Sequence, residues 1–350
     1  MRVATPSAPY TGPVPWGLTC EQFVERAGGS PERGRRLYTE LLRRVHGLAL
    51  PEIRALQRSG KLIKFAVAVS NNAQVEAVIV PMDSYRATSW RTLCLSTQAG
   101  CRMGCAFCDT AEMGLVRHLE AAEIVAQRLL AQRILSPAGD MGGPFRFDRD
   151  GIRNLVFMGM GEPLDNFDAV VQAIRVLSDP RGLAFPRAHM TLSTVGHVGG
   201  LERLARLAEE QPEWRKLRLA ISLHAADDSL RSALLPINRA MPLRELKRVL
   251  LGYPLPRRGL FLIQYVLLRG VNDSLADARA VAEWCKDLPC VVNLIPYNPQ
   301  RRPRFEPPAE TTVLAFLREL RQRGVFAKRR ITHGQDIAAA CGQLAAGSPR

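Results

Sequence analysis

Thr92-Leu93-Cys94-Leu95-Ser96-Thr97-Gln98 runs directly into Ala99-Gly100-Cys101-Arg102-Met103-Gly104-Cys105-Ala106-Phe107-Cys108. The first part reads as a strand over 91–97. The second spaces three thiols as C-x3-C-x2-C, a loop tight enough to turn three sulfurs to one side. Gly100 and Gly104 give the backbone freedom to wrap closely. Thiolates are the usual ligands of iron–sulfur clusters, and three ligands on a four-iron cluster leave one iron open. A zinc site completed by His118 or another cysteine, and a disulfide switch, are the competing readings.

Outward from this loop the pattern alternates. Strands are expected over 91–97, 153–158, 188–193, 217–223, 259–268 and 290–295. Helices are expected over 120–134, 167–178, 198–208, 242–251, 274–286 and 311–323. Such alternation implies βαβ units and a parallel sheet, an α/β fold. Six units form a full or partial (β/α) barrel, with a doubly wound open sheet as the alternative. Each strand ends in a polar cluster. After the cysteine run come Gly159-Met160-Gly161-Glu162-Pro163-Leu164, Ser193-Thr194, Ser222-Leu223-His224, Gly270-Val271-Asn272-Asp273 and Pro296-Tyr297-Asn298-Pro299. Sites in parallel β/α architectures form at the carboxyl ends of strands, so these tips should converge on one cavity.

Ahead of the alternation the chain divides differently. Residues 1–16 read as a flexible tail. Residues 17–85 read as a small accessory module of two helices and a β-hairpin, and 86–350 as the core. Ser30-Pro31-Glu32 starts one helix, continued by Leu37, Tyr38, Leu41, Leu42 and Val45. A second short helix is expected from Pro51 to about Arg58, stopping at Gly60. Strands over 62–69 and 75–80 flank the turn Asn71-Asn72.

Composition narrows the function classes. At 350 residues and 47% hydrophobic, the chain can bury a sizeable core. No signal peptide and no apolar run of about 18 residues is present, so a soluble, cytoplasmic protein with no membrane partner is expected. The net charge is +15, carried by 42 Arg and 6 Lys. That excess suits a polyanionic partner, and Arg forks onto phosphates and stacks on bases as RNA binding requires. Arg301, Arg302 and Arg304 after the sixth strand, with Lys328, Arg329 and Arg330, flank the expected cavity mouth.

The Thr92–Gln98 strand, the cysteine run, Phe107-Cys108-Asp109-Thr110-Ala111, the Gly159–Leu164 turn and Asp336-Ile337-Ala338-Ala339-Ala340-Cys341-Gly342-Gln343-Leu344 together resemble the RlmN/Cfr family of radical SAM adenine methyltransferases. The resemblance runs from about Gly60 to Leu344. It implies a radical SAM barrel, a 4Fe-4S cluster on Cys101, Cys105 and Cys108, and S-adenosyl-L-methionine as substrate and cofactor. It implies SAM contacts at Gly161, Glu162, Ser193, Ser222, Leu223, His224 and Asn298, with the Glu162 carboxylate holding the methionine ammonium.

The resemblance further implies that Cys341 carries a methyl group, that Cys94 is its transient disulfide partner, and that Glu76 is the proton acceptor. One SAM would methylate Cys341, and reductive cleavage of a second would give the radical that activates that methyl for addition to adenine. A flavodoxin or ferredoxin would donate the electron. The implied substrate is 23S rRNA, or tRNA, methylated at carbon 2 rather than carbon 8. Arg117-His118-Leu119 departs from the family's usual Arg-Asn-Leu. The alternatives are a radical SAM enzyme with a diverged non-rRNA substrate and a non-catalytic RNA-binding protein with a structural metal site. Cys20, Cys285 and Cys290 read as structural.

Overall fold

The structure, a computed structural model, describes residues 14–43, 48–83, 89–135, 151–331 and 333–345. Val45 and residues 1–13 of the expected tail lie outside these. In chain order the strands are β1 (Ile53–Ser59), β2 (Leu62–Ala68), β3 (Gln74–Asp83), β4 (Ser89–Cys94), β5 (Gln98–Gly100) and β6 (Leu115–His118). They continue as β7 (Ile152–Phe157), β8 (Met190–Thr194), β9 (Arg218–Ser222), β10 (Phe261–Leu267), β11 (Cys290–Pro296) and β12 (Ala327–Arg329). The helices are α1 (Cys20–Ala27), α2 (Pro31–Arg43), α3 (Asp109–Glu112), α4 (Ala121–Leu135) and α5 (Phe167–Ser178). After them come α6 (Val198–Glu210), α7 (Asp228–Leu234), α8 (Leu243–Leu251), α9 (Leu275–Cys285) and α10 (Glu310–Gln322).

One ten-stranded sheet orders as β1-β2-β3-β4-β7-β8-β9-β10-β11-β12, beside a two-stranded β5-β6 ribbon. From β4 onward every pairing in the large sheet is parallel, and each strand lies beside its predecessor. A doubly wound sheet reverses its strand order at a switch point; this sheet has no reversal. It is also unclosed, with β1 and β12 at its edges. The architecture is therefore a partial (β/α) barrel. The six expected parallel strands are all present, and the short β12 adds a seventh.

The strands bury one side chain set against the helices: Leu155 and Phe157 of β7, Met190 and Leu192 of β8, and Ile263 and Tyr265 of β10 join Val170, Ile174 and Leu177 of α5 in one core. Each fully buried Leu, Ile or Phe in it contributes roughly 1.5–3 kcal/mol.

The N-terminal region corrects the sequence reading. Residues from Pro51 to Arg58 are not a helix: Ile53–Ser59 is strand β1, paired antiparallel with β2. Pro51 and Gly60 imitate helix punctuation, and a register shift between Ile53 and Ala55 spoils the alternation that marks a strand. The additional helix α1 carries a complete capping box between Thr19 and Gln22. Trp16, within the expected tail, is buried. The hairpin β2-β3 does not stand apart from the core, because β3 pairs antiparallel with β4, Val78 opposite Cys94.

Candidate active site

The carboxyl ends of the parallel strands enclose a cavity of about 160 Å³. Its lining includes Cys101, Cys105 and Cys108, Gly161 and Glu162, Ser193, Ser222, His224, Asn298 and Cys341. Cys94, Leu223 and Glu76 lie outside that lining. Residues separated by up to 240 positions in the chain thus meet at one place.

The cysteine loop is shaped by its glycines. Gly100 has φ +73°, and a Cβ there would come within 1.8 Å of the Gly114 carbonyl oxygen, which accepts the Cys101 amide at 2.8 Å. Gly100→Ala is therefore expected to destabilise the protein by more than about 4 kcal/mol and to lower its iron content, as thermal denaturation and an iron assay would read. Burial raises the Cys101 thiol to about 12 and lifts Cys105 and Cys108 as well, so all three favour the protonated form until a metal takes the proton's place.

Among the described residues no three His, Cys, Asp or Glu side chains gather as ligands of a single metal ion. A mononuclear zinc site needs that convergence. A four-iron cluster does not, since each thiolate binds a different iron. His118, the imagined fourth zinc ligand, is exposed and its Nδ1 lies 3.0 Å from Gln98 Nε2. Three thiols on a cavity wall with further space beside them fit an iron–sulfur cluster with one open iron.

Next to the thiols, Gly161 has φ +102°, and a Cβ there would lie 2.6 Å from Gln98 Cβ. Glu162 follows, only 2% exposed. Its Oε1 accepts from the Leu164 amide at 3.0 Å and its Oε2 from the Val195 amide at 2.9 Å. Burial raises its pKa to about 7 against the lowering effect of those two amides. Among the described residues no Lys or Arg forms an ion pair with it. A buried, uncompensated carboxylate on a cavity wall fits a cationic ligand such as an amino acid ammonium.

His224 sits at φ +60° and is buried. Its Nδ1 accepts from the Val266 amide at 2.9 Å, which leaves Nε2 carrying the proton of the neutral ring. Burial depresses its pKa to about 3, so the ring is a neutral donor at physiological pH. Leu223 uses its backbone: its amide donates to Gln264 O at 3.0 Å and its carbonyl accepts from Arg231 Nε at 3.0 Å.

Cys341 is exposed on a strap, residues 334–345, that is hydrogen-bonded to β2, β3 and the end of the cysteine loop. The Asp109 amide donates to Gly342 O at 2.7 Å, and Asn298 Nδ2 to Cys341 O at 3.2 Å. Cys94 ends β4 close enough for Cys341 to act on its titration. Its pKa is pushed up to about 12, by burial first and by Cys341 second, while Arg330 opposes. Glu76 is buried rather than solvated, paired with Lys64 at 3.2 Å and accepting the Ala345 amide at 3.0 Å.

Sequence reasoning missed the supporting residues. Gln98 receives the Glu162 amide on Oε1 at 2.8 Å and donates to Asp165 at 2.8 Å, while Arg102 pairs with Asp165. Arg231, fully buried, gathers the carbonyls of Val195, Ser222 and Leu223 at the ends of β8 and β9. Arg231 lies in α7, a short helix that the sequence reading did not expect, and nothing local distinguishes it from a surface Arg. Of the basic residues, Arg301 NH2 donates to Ala345 O at 2.9 Å, Arg304 pairs with Glu112, Arg329 with Glu310, and Arg330 lines the cavity.

Residues 95–282 match the radical SAM superfamily. The chain is 41% identical over 304 residues to a dual-specificity RNA methyltransferase RlmN of Syntrophobacter fumaroxidans, covering 86% of this chain and 82% of that one. It is 38% identical over 347 residues to a probable dual-specificity RNA methyltransferase RlmN of Moorella thermoacetica, covering 93% and 94%. The crystal structure of a radical SAM methyltransferase from Sphaerobacter thermophilus superposes with a TM-score of 0.79 at 34% identity, covering 94% of this chain and 98% of that one. With its thiol-lined cavity at the mouth of a partial barrel, the chain belongs to the radical SAM superfamily and, within it, to the RlmN/Cfr family.

Proposed function

We propose that this S-adenosylmethionine-dependent RNA methyltransferase modifies carbon 2 of an adenine in 23S rRNA, or in tRNA, through a methyl group carried on Cys341. The observation that carries this reading is that Cys341 shares one cavity with the three cluster thiols and Glu162. A zinc-stabilised RNA-binding protein has no use for a thiol at that position.

Cys101, Cys105 and Cys108 would hold the cluster as thiolates. Glu162 would hold the ammonium of SAM, with Gly161, Ser193, Ser222, Leu223, His224 and Asn298 completing its site. Bound there, the two cofactors supply a methyl group and, on one-electron reduction by a flavodoxin or ferredoxin, an organic radical. Cys341 accepts the methyl group and delivers its carbon to the adenine ring. After the ring proton has left and the adduct has returned the one electron supplied for its formation, the Cys94 thiolate attacks the Cys341 sulfur. The S–C bond to the bridging carbon breaks, and that carbon keeps the bonding pair and takes a proton to become the methyl group. The resulting Cys94–Cys341 disulfide frees the RNA. Glu76 takes the ring proton, for which its carboxylate must leave the Ala345 amide.

The exposed Arg302, Arg304, Lys328 and Arg329 around the strap suit phosphate contacts. The target base must leave its stack to reach the cavity. We read residues 17–85 as an accessory module and 86–350 as the catalytic core, working in the cytoplasm. Among the described residues no helix is long and apolar enough to cross a membrane.

The test is peptide mass spectrometry of the holoprotein after incubation with isotopically methyl-labelled SAM. Label on the peptide containing Cys341 is expected. Label reaching RNA with none on Cys341 would refute the methyl-cysteine route.

A further inference from the structure

Lys64 lies in β2 and Glu76 in β3, one step apart on the diagonal of the ladder, since Lys64 pairs with Val78 and Ala66 with Glu76. Their side chains therefore share a face. Both are buried, Lys64 at 5% exposure and Glu76 at 8%. A buried ion pair repays its desolvation only with good geometry and further hydrogen bonds. Here those further bonds go to the Cys341 strap. Lys64 Nζ lies 3.2 Å from Glu76 Oε1 and donates to Ala338 O at 3.2 Å. Glu76 Oε2 accepts the Ala345 amide at 3.0 Å. The pair grips the strap three residues before Cys341 and four residues after it.

The strap is bent where it is gripped. Ala338 has φ +50°, an uncommon conformation for a residue with a Cβ, and must be held there by its surroundings. Gly334 (φ +76°) accepts the Ala339 amide at 2.7 Å and packs on Leu62 of β2. The same hairpin is tied to the cofactor side. The Glu76 amide meets Met160 Sδ at 3.4 Å, and Ser96 Oγ donates to Glu76 O at 2.6 Å and accepts the Met160 amide at 2.8 Å. Met160 is the residue before Gly161-Glu162.

We propose that Lys64 is a positioning residue: its ammonium locks Glu76 to Ala338 and so fixes both ends of the Cys341 strap over the cavity. This rests on the assignment of Cys341 above. Lys64 is not among the residues that line the cavity. It sets where the Cys341 thiol sits, and it holds the Glu76 carboxylate against the strap until an arriving base displaces the Ala345 amide.

Hydrogen–deuterium exchange of the strap peptide and steady-state kinetics, on holoprotein carrying wild type, Lys64→Met or Lys64→Arg, test this. In Lys64→Met the Ala339 and Ala345 amides should exchange about tenfold faster or more. Its kcat for RNA methylation should fall about a hundredfold with the KM for SAM little changed. Lys64→Arg should recover most of both, because a guanidinium can still bridge a carboxylate and a carbonyl. If Lys64→Met does not yield folded protein, the Lys64→Met/Glu76→Gln double variant, which leaves no lone buried charge, replaces it with the same exchange expected. Unchanged strap exchange in a variant beside an active wild type overturns the proposal, as does failure of Arg to rescue. Faster exchange in the variant, with a wild type that modifies no RNA, would uphold the latch and overturn the function assigned to Cys341.

Discussion

Cys341→Ala is expected to bind iron at the wild-type level and to transfer no methyl group to RNA. The thiol lines the cavity from a strap whose hydrogen bonds to Asp109, Asn298, Thr110 and Glu76 use the backbone of the strap. An Ala keeps those bonds, so the loop of Cys101, Cys105 and Cys108 should be undisturbed. What disappears is the sulfur proposed to carry carbon from one reactant to the other. Removal of a covalent nucleophile typically costs many orders of magnitude, about a millionfold in the best-studied hydrolase. Iron per chain, the visible absorption of the cluster and a methyl-transfer assay, run together, check this. Retained turnover would remove the role assigned to Cys341, and loss of iron would show that the strap supports the cluster.

Glu162→Gln should weaken SAM binding about a hundredfold, the scale of breaking a buried charge pair, and should change the pH dependence of the protein. Burial raises the Glu162 carboxyl from an ordinary 4.5 to about 7, with Asp165 adding to the rise while Val195, Leu164 and Thr194 hydrogen bonds oppose it. The Cys101 and Cys105 thiols are its other titrating neighbours. A carboxyl raised on folding contributes its stability below the unfolded pKa and loses it as pH rises through the folded value. The unliganded protein should thus lose on the order of 3 kcal/mol between about pH 4.5 and pH 7 from this group. The Gln variant should lack that loss, melting higher than wild type at pH 8 and alike at pH 5. In wild type, SAM binding should weaken about tenfold per pH unit below 7 as the carboxylate is protonated; the variant should be flat. Calorimetry of melting and binding at three pH values reads both. A pH-independent wild type would sink the assignment of Glu162 as the ammonium's partner.

The parts legible in the sequence were those with local signatures. Thiol spacing marks the three-cysteine loop that lines the cavity, and alternating strands and helices mark the parallel sheet, because both signals are local. The partial barrel emerges only from pairing: without knowing that β1 and β12 are edge strands that do not pair with each other, closure is undecidable. β1 was illegible because its bulge breaks the period of two. Glu76 reads as a hairpin surface charge until Lys64 and Ala345 are seen around it, 12 and 269 positions away. Gln98, Asp165 and Arg231 act through contacts across turns and strand ends, which no local pattern records. Arg301 looks like a phosphate ligand in the sequence, yet its amide meets Asp109 and its guanidinium the strap carbonyl of Ala345.

The proposed reaction is adenine methylation at a ring carbon. Nucleoside mass spectrometry of RNA from cells with and without the gene tests it most directly. One 2-methyladenosine present in 23S rRNA of the parent is expected to be missing from the deletion and to return with the wild-type gene but not with Cys341→Ala. Identical methyladenosine profiles in all four RNAs would contradict it.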